Sequence, residues 1–264
     1  MKKGLILMVF TAFLVQCSNV PITDRKQLNL VPSSQLRTMS FAQYQQVKNQ
    51  TPPLPNNDSR VQLVKKVGNR ISAAANQFMS ENGMKDRLKE FEWEFNLIEE
   101  KTVNAWCMPG GKVMFYTGIL PVCDGEEGIA TVMGHEVAHA IARHGNERMS
   151  QALALEAGGV ALSALLNDKP EMAQNLFMTS FGIGSQLGTL KFSRVHETEA
   201  DKMGLVFMAM AGYDPAVAVD FWKRMATISN GQTPPEFLST HPSDERRIKD
   251  IQNYLPEARK YMKK

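Results

Sequence analysis

The sequence predicts an α+β fold, rich in helix and built around one small sheet. Three observations carry that expectation. Apolar residues recur every three or four positions over 61–78 and again over 129–141, as on one face of a helix. Phe91, Trp93, Phe95 and Leu97 alternate with Glu92, Glu94 and Asn96, the period of a half-buried strand. Pro109-Gly110-Gly111 then separates two strand-like runs, as a hairpin turn would. The composition of the 264 residues, 43% hydrophobic and 22% charged, excludes a disordered tail, a collagen-like fibre and a disulfide-dense miniprotein. A formal charge of +3, without a basic tract interleaved with aromatics, argues against nucleic acid as a partner.

Lys2 and Lys3 followed by the eleven-residue apolar run Leu5–Val15 form a secretory signal, too short to cross a bilayer as a helix. The run ends at Leu14-Val15-Gln16-Cys17, which resembles the lipobox of bacterial lipoproteins despite Gln16 in place of a small residue. Cleavage after residue 16 and lipid on Cys17 would anchor the chain without a transmembrane helix. Ser18 after the cysteine suggests the outer membrane, facing the periplasm.

Residues 17–58, punctuated by five prolines, read as a lipidated tether with one short helix around Gln35–Val47. A larger domain then spans 59–264. Ser59 is the expected N-cap of a helix running to Gly83, and Thr102–Met108 with Lys112–Thr117 make the hairpin. Helices are expected from Glu126 and over Pro170–Phe181, Arg194–Ala211, Pro215–Ser229 and Ser243–Tyr254. Pro215 suits a first helical turn capped by Asp214.

The chemistry lies in His135-Glu136-Val137-Ala138-His139. Histidines four apart on a helix share a face, so both can bind one Zn²⁺. Glu136 projects at another angle and is placed to take a proton from water at the metal. A third ligand is required. His144 fits poorly, being nine residues after His135 with Ala142 where the metzincin pattern has Gly, and reads as packing or capping near its helix end. Glu197 and Asp201, i and i+4 on the second helix, share a face: Glu197 as ligand, Asp201 as acceptor of a ligand histidine's free N–H. Glu199 points away and reads as a solvated charge, and His196 as structural.

These residues, with Val103-Asn104-Ala105, Tyr116-Thr117-Gly118-Ile119-Leu120 and Ser239-Thr240-His241-Pro242…Arg247-Ile248, resemble the CAAX-prenyl-protease and HtpX family of gluzincin metallopeptidases, in its soluble periplasmic, BepA-like and LoiP-like branch. The resemblance spans about Ser59 to Leu255. It implies a zincin-like domain with one zinc, held by His135, His139 and Glu197 with Glu136 as base. The function implied is an endopeptidase for misfolded or unassembled envelope proteins; the alternative is a non-catalytic, metal-bound module that escorts outer-membrane proteins. Cys107 departs from the family pattern, and BepA's helical-repeat domain has no counterpart here, so partner binding through repeats is not implied.

Several features stay open in the sequence. Asn104–Cys107 can present a strand edge to an extended polypeptide, or be an interior strand. Cys107 and Cys123 can form a disulfide or remain two buried thiols. The apolar, glycine-interrupted stretches 157–166 and 177–190 fit a lid, a membrane-touching surface or core helices. His241 is a surface or capping histidine or, after the family match, a protonated donor to the oxyanion, assisted by Arg247, or a fourth zinc ligand that closes the site.

Overall fold

The computed structural model describes residues 17–156, 164, 167–183, 192–228, 235–242 and 245–262. A small antiparallel ribbon, β1 (Cys17–Asn19) and β2 (Lys26–Leu28), precedes α1 (Ser33–Gln50), α2 (Ser59–Glu81) and the short α3 (Lys85–Leu88). The sheet strands are β3 (Glu94–Ile98), β4 (Ala105–Met108) and β5 (Lys112–Tyr116). Then come α4 (Leu120–Cys123), α5 (Glu126–Ile141), α6 (His144–Glu156), α7 (Pro170–Ser180), α8 (Arg194–Met210), α9 (Val217–Ile228), α10 (Glu236–Thr240) and α11 (Glu245–Ala258). No helix among the described residues is long and apolar enough to cross a membrane.

The α+β expectation holds, with the sheet ordered β3-β5-β4. The Pro109-Gly110-Gly111 hairpin joins β4 to β5 antiparallel, with Gly110 and Gly111 at φ +83° and +81°, a region open to glycine. β3 lies parallel to β5, so β4 forms a sheet edge, next to α5. The alternating strand residues Phe95 and Leu97 face a core shared with Val64, Val67 and Ile71 of α2 and with α5 and α8.

At its centre α5 packs on α8 with almost no side chain between them. A Cβ on Gly204 would lie 3.0 Å from the Gly134 carbonyl carbon and from the His135 nitrogen. Two glycines thus bring the two helices into backbone contact beside the first histidine of the motif.

Two expectations are corrected. The cap of α2 is Asp58, whose carboxylate accepts from the Arg60 N–H, rather than Ser59. The stretch 17–58 is no free tether. Val20 and Tyr44 are fully buried, and the Tyr44 hydroxyl donates to the Val113 carbonyl at 2.9 Å. Pro53 bridges Ile98 of β3 and the Leu54 N–H donates to the Leu97 carbonyl; a residue without N–H is tolerated at such an edge. Of the two readings open for Cys107 and Cys123, the structure has the free, buried thiols. Of the apolar stretches, Phe177 and Phe181 are core residues, while 157–163 and 184–191 lie outside the described residues, as does the leader, 1–16.

Candidate metal centre

The helical spacing of α5 puts His135 and His139 on the face turned to α8. Four buried side chains, those of His135, His139, Glu197 and His241, bring potential ligand atoms within 4.8 Å of one another. The two Nε2 atoms of His135 and His139 face each other at 3.1 Å. Glu197 lies 3.4 Å from the first and 3.3 Å from the second. His241 Nδ1 is 3.2 Å from His135 Nε2 and 3.0 Å from Glu197 Oε1.

The far sides of the two rings decide what that cluster can hold. His135 Nδ1 is 3.0 Å from Asp201 Oδ1, a carboxylate that can only accept, so the proton sits on Nδ1. His139 Nδ1 meets His144 Nδ1 at 2.9 Å, and His144 Nε2 meets Glu199 Oε2 at 3.0 Å. Glu199 can only accept, so His144 carries its proton on Nε2 and receives one from His139. With both rings neutral, the inward Nε2 atoms are lone pairs, opposed at 3.1 Å beside a carboxylate. Lone pairs with no proton between them repel, and a cation resolves the conflict. The donor set of imidazoles and one carboxylate suits zinc.

Charge around the cluster is balanced by Arg247. It donates to Asp201 at 2.7 and 2.8 Å, lies 2.7 Å from Glu197 Oε2, and stacks 3.4 Å over the Trp222 ring. Burial alone would raise the Glu197 pKa, but His241 and Arg247 hold it well below the usual carboxylate range. Glu136 behaves oppositely, because burial raises its pKa over the pull of His241 and His135. Its Oε1 is buried, has no hydrogen-bond partner among the described residues, and lies 3.6 Å from His241 Nε2. A basic carboxylate oxygen held free beside a metal-ligand cluster is what a proton acceptor for water requires. A cavity of about 400 Å³ opens on the Glu197 and Asp201 side, bounded also by Phe192, Leu205, Ile251 and Tyr254.

The six residues singled out in the sequence (His135, Glu136, His139, Glu197, Asp201 and His241) are therefore brought together. Two sequence readings change. Glu199 is buried and paired rather than solvated. His144 neither caps nor packs idly: Arg143, at φ +59°, reverses the chain so that His144 folds back onto His139. Arg247, besides donating to the Pro242 carbonyl next to His241, is the ion-pair partner of both acidic residues. The short α10, with His241 as its C-cap, was also missed, since five residues show no helical period.

A second, part-buried cluster adjoins the first. Arg25 donates to Glu199 through Nε at 2.9 Å and Nη2 at 3.0 Å, and to Glu147 through Nη1 at 2.8 Å and Nη2 at 2.7 Å. Thr23 adds a hydrogen bond to Glu199 at 2.7 Å, and His196 lies 3.0 Å from Glu147. Against burial, these donors hold Glu147 and Glu199 each at a pKa of about 2.

The model of peptidase family M48 matches residues 65–255. Among similar proteins, the mitochondrial metalloendopeptidase OMA1 of Schizosaccharomyces pombe is 36% identical over 243 residues, 90% of this chain and 66% of that protein. The human mitochondrial metalloendopeptidase OMA1 is 29% identical, covering 97% of this chain and 49% of its own. The β-barrel assembly-enhancing protease of Escherichia coli is 28% identical over 78% of this chain and 41% of its own. The chain thus spans between two-fifths and two-thirds of the length of these relatives.

Proposed function

Since this chain belongs to peptidase family M48, a family of zinc metallopeptidases, we propose that it is a zinc-dependent endopeptidase with His135, His139 and Glu197 as ligands. The observation that carries this reading is the opposed pair of Nε2 lone pairs beside Glu197, with the unpartnered Glu136 Oε1 at its side. Zinc held there would polarise a water and lower its pKa towards about 7. Glu136 then takes the proton of the attacking water and passes it to the leaving amine. Asp201 fixes the His135 tautomer, and Arg247 holds both carboxylates in place.

An extended substrate is accommodated at β4. The Asn104 carbonyl accepts from the Tyr116 N–H, so residues 104, 106 and 108 pair inward and the backbone of Ala105 and Cys107 faces away from β5, with the Ala105 N–H held by Asn104 Oδ1 at 2.9 Å. Addition of a polypeptide strand there would lay it beside α5 and Glu136. The closeness of His241 Nδ1 to Glu197 and His135 favours its reading as a fourth ligand that closes the site until α10 moves. His241→Ala should then raise cleavage. A fall would return it to the role of transition-state donor.

The substrates proposed are misfolded or unassembled proteins of the cell envelope. The support is the leader and Cys17, read as a lipid anchor, and the relative whose name places it in β-barrel assembly. Hydrolysis of unfolded casein tests the activity: a chelator should abolish it, and added zinc should restore it. Binding of unfolded protein without cleavage would instead support the non-catalytic module.

A further inference from the structure

We propose that Arg25 is a positioning residue for the metal site, acting through Glu199 and His144 on the ligand His139. This rests on the metal reading above and extends it to the N-terminal ribbon.

The chain of contacts is continuous and each link has one sensible polarity. Zinc on His139 Nε2 requires the proton on Nδ1. That proton needs an acceptor, which is His144 Nδ1 at 2.9 Å. His144 can accept there only if its own proton is on Nε2, and Glu199 Oε2 at 3.0 Å takes that hydrogen bond. Glu199 must therefore stay in place as that acceptor, although it is 2% exposed. An isolated carboxylate at such burial would be costly. Arg25 compensates it with two hydrogen bonds, and Thr23 supplies a third.

The same guanidinium also grips Glu147 with two hydrogen bonds, so one side chain ties α6 to α8. Its position is fixed by the turn between β1 and β2, where Ile22 and Asp24 adopt left-handed backbone at φ 72° and 52°. Val20, fully buried at the start of that turn, anchors it in the main core. A lysine could not reproduce this arrangement, because it lacks the planar fork that serves two carboxylates at once. Seating of residues 20–25 and completion of the metal site are thus one event.

The test uses the full chain and measures zinc affinity by competition with a chromophoric chelator. The visible spectrum of the cobalt-substituted protein reports ligand geometry, and circular dichroism reports the fold. Arg25→Ala should keep its helical content, weaken zinc about 10-fold, within the span of second-sphere losses, and shift the cobalt bands. His144→Ala should weaken zinc at least as much. The double variant should lose no more than His144→Ala alone, because both act along one path. His144→Asn, whose amide oxygen can still accept from His139, should recover part of the loss.

Unchanged affinity and cobalt spectrum in Arg25→Ala would overturn the proposal, as would full multiplication of the two losses in the double variant. If Arg25→Ala does not fold, Arg25→Lys decides in its place: weakened zinc supports the relay and wild-type affinity refutes it. A wild-type chain that takes up no zinc would overturn the metal reading, and this one with it; wild-type binding matched by Arg25→Ala overturns this one alone.

Discussion

Arg247 is the residue whose loss the rest of the site could least absorb. It is the direct cationic partner of both Glu197 and Asp201, and it is buried against Trp222. Removing one member of a buried ion pair leaves an uncompensated charge and costs about 3–5 kcal/mol. Arg247→Ala should therefore lower the melting temperature markedly in the metal-free protein. The deficit should shrink in zinc, because the metal takes over part of the compensation of Glu197. Equal deficits with and without zinc would contradict that account. At this scale the sequence was legible where one helix holds the logic: His135 and His139 at i,i+4, and Glu197 and Asp201 likewise. It misled on Glu199, read as a solvated charge, and on His144, read as packing or capping near its helix end. Their partners depend on a left-handed Arg143 and on an arginine 174 residues away from Glu199, which no local spacing reveals.

The helices α5 and α8 hold the two halves of the ligand set, and their separation is set by Gly134 and Gly204. A methyl group at either position meets backbone at 3.0 Å, and backbone cannot move aside as a side-chain tip can. Gly204→Ala should cost about 1–3 kcal/mol, as overpacking in a close-packed core does. It should also loosen zinc, since widening the gap separates Glu197 from the histidines. Urea unfolding and metal competition check the two effects, and a variant unchanged in both would show that the contact is slack. Element types were readable from period and alternation, and the β4–β5 turn from its glycines. The edge position of β4 was not, because strand order depends on the parallel return of β3 onto β5. The five-residue α10 was too short to announce itself.

Across the whole molecule, the N-terminal segment is part of the domain. Proline content suggested a spacer, yet Pro53 pairs with a sheet edge while Val20 and Tyr44 fill core positions. The turn carrying Arg25 should govern behaviour in acid. Glu147 has its pKa held at about 2 in the folded protein, against 4.5 for a free glutamate. Its contribution is complete above about 4.5 and is lost as the pH falls towards 2. Arg25→Ala returns Glu147 towards its ordinary range, so acid unfolding, followed by circular dichroism, should begin at a higher pH. An unchanged acid midpoint would mean that Arg25 does not stabilise this carboxylate. The central claim, that this fold assembles a zinc site served by Glu136 as base, is tested most directly by one comparison. Glu136→Gln and wild-type protein should each bind one zinc, while only the wild type hydrolyses casein. Cleavage by Glu136→Gln at the wild-type rate, with zinc bound, would contradict it.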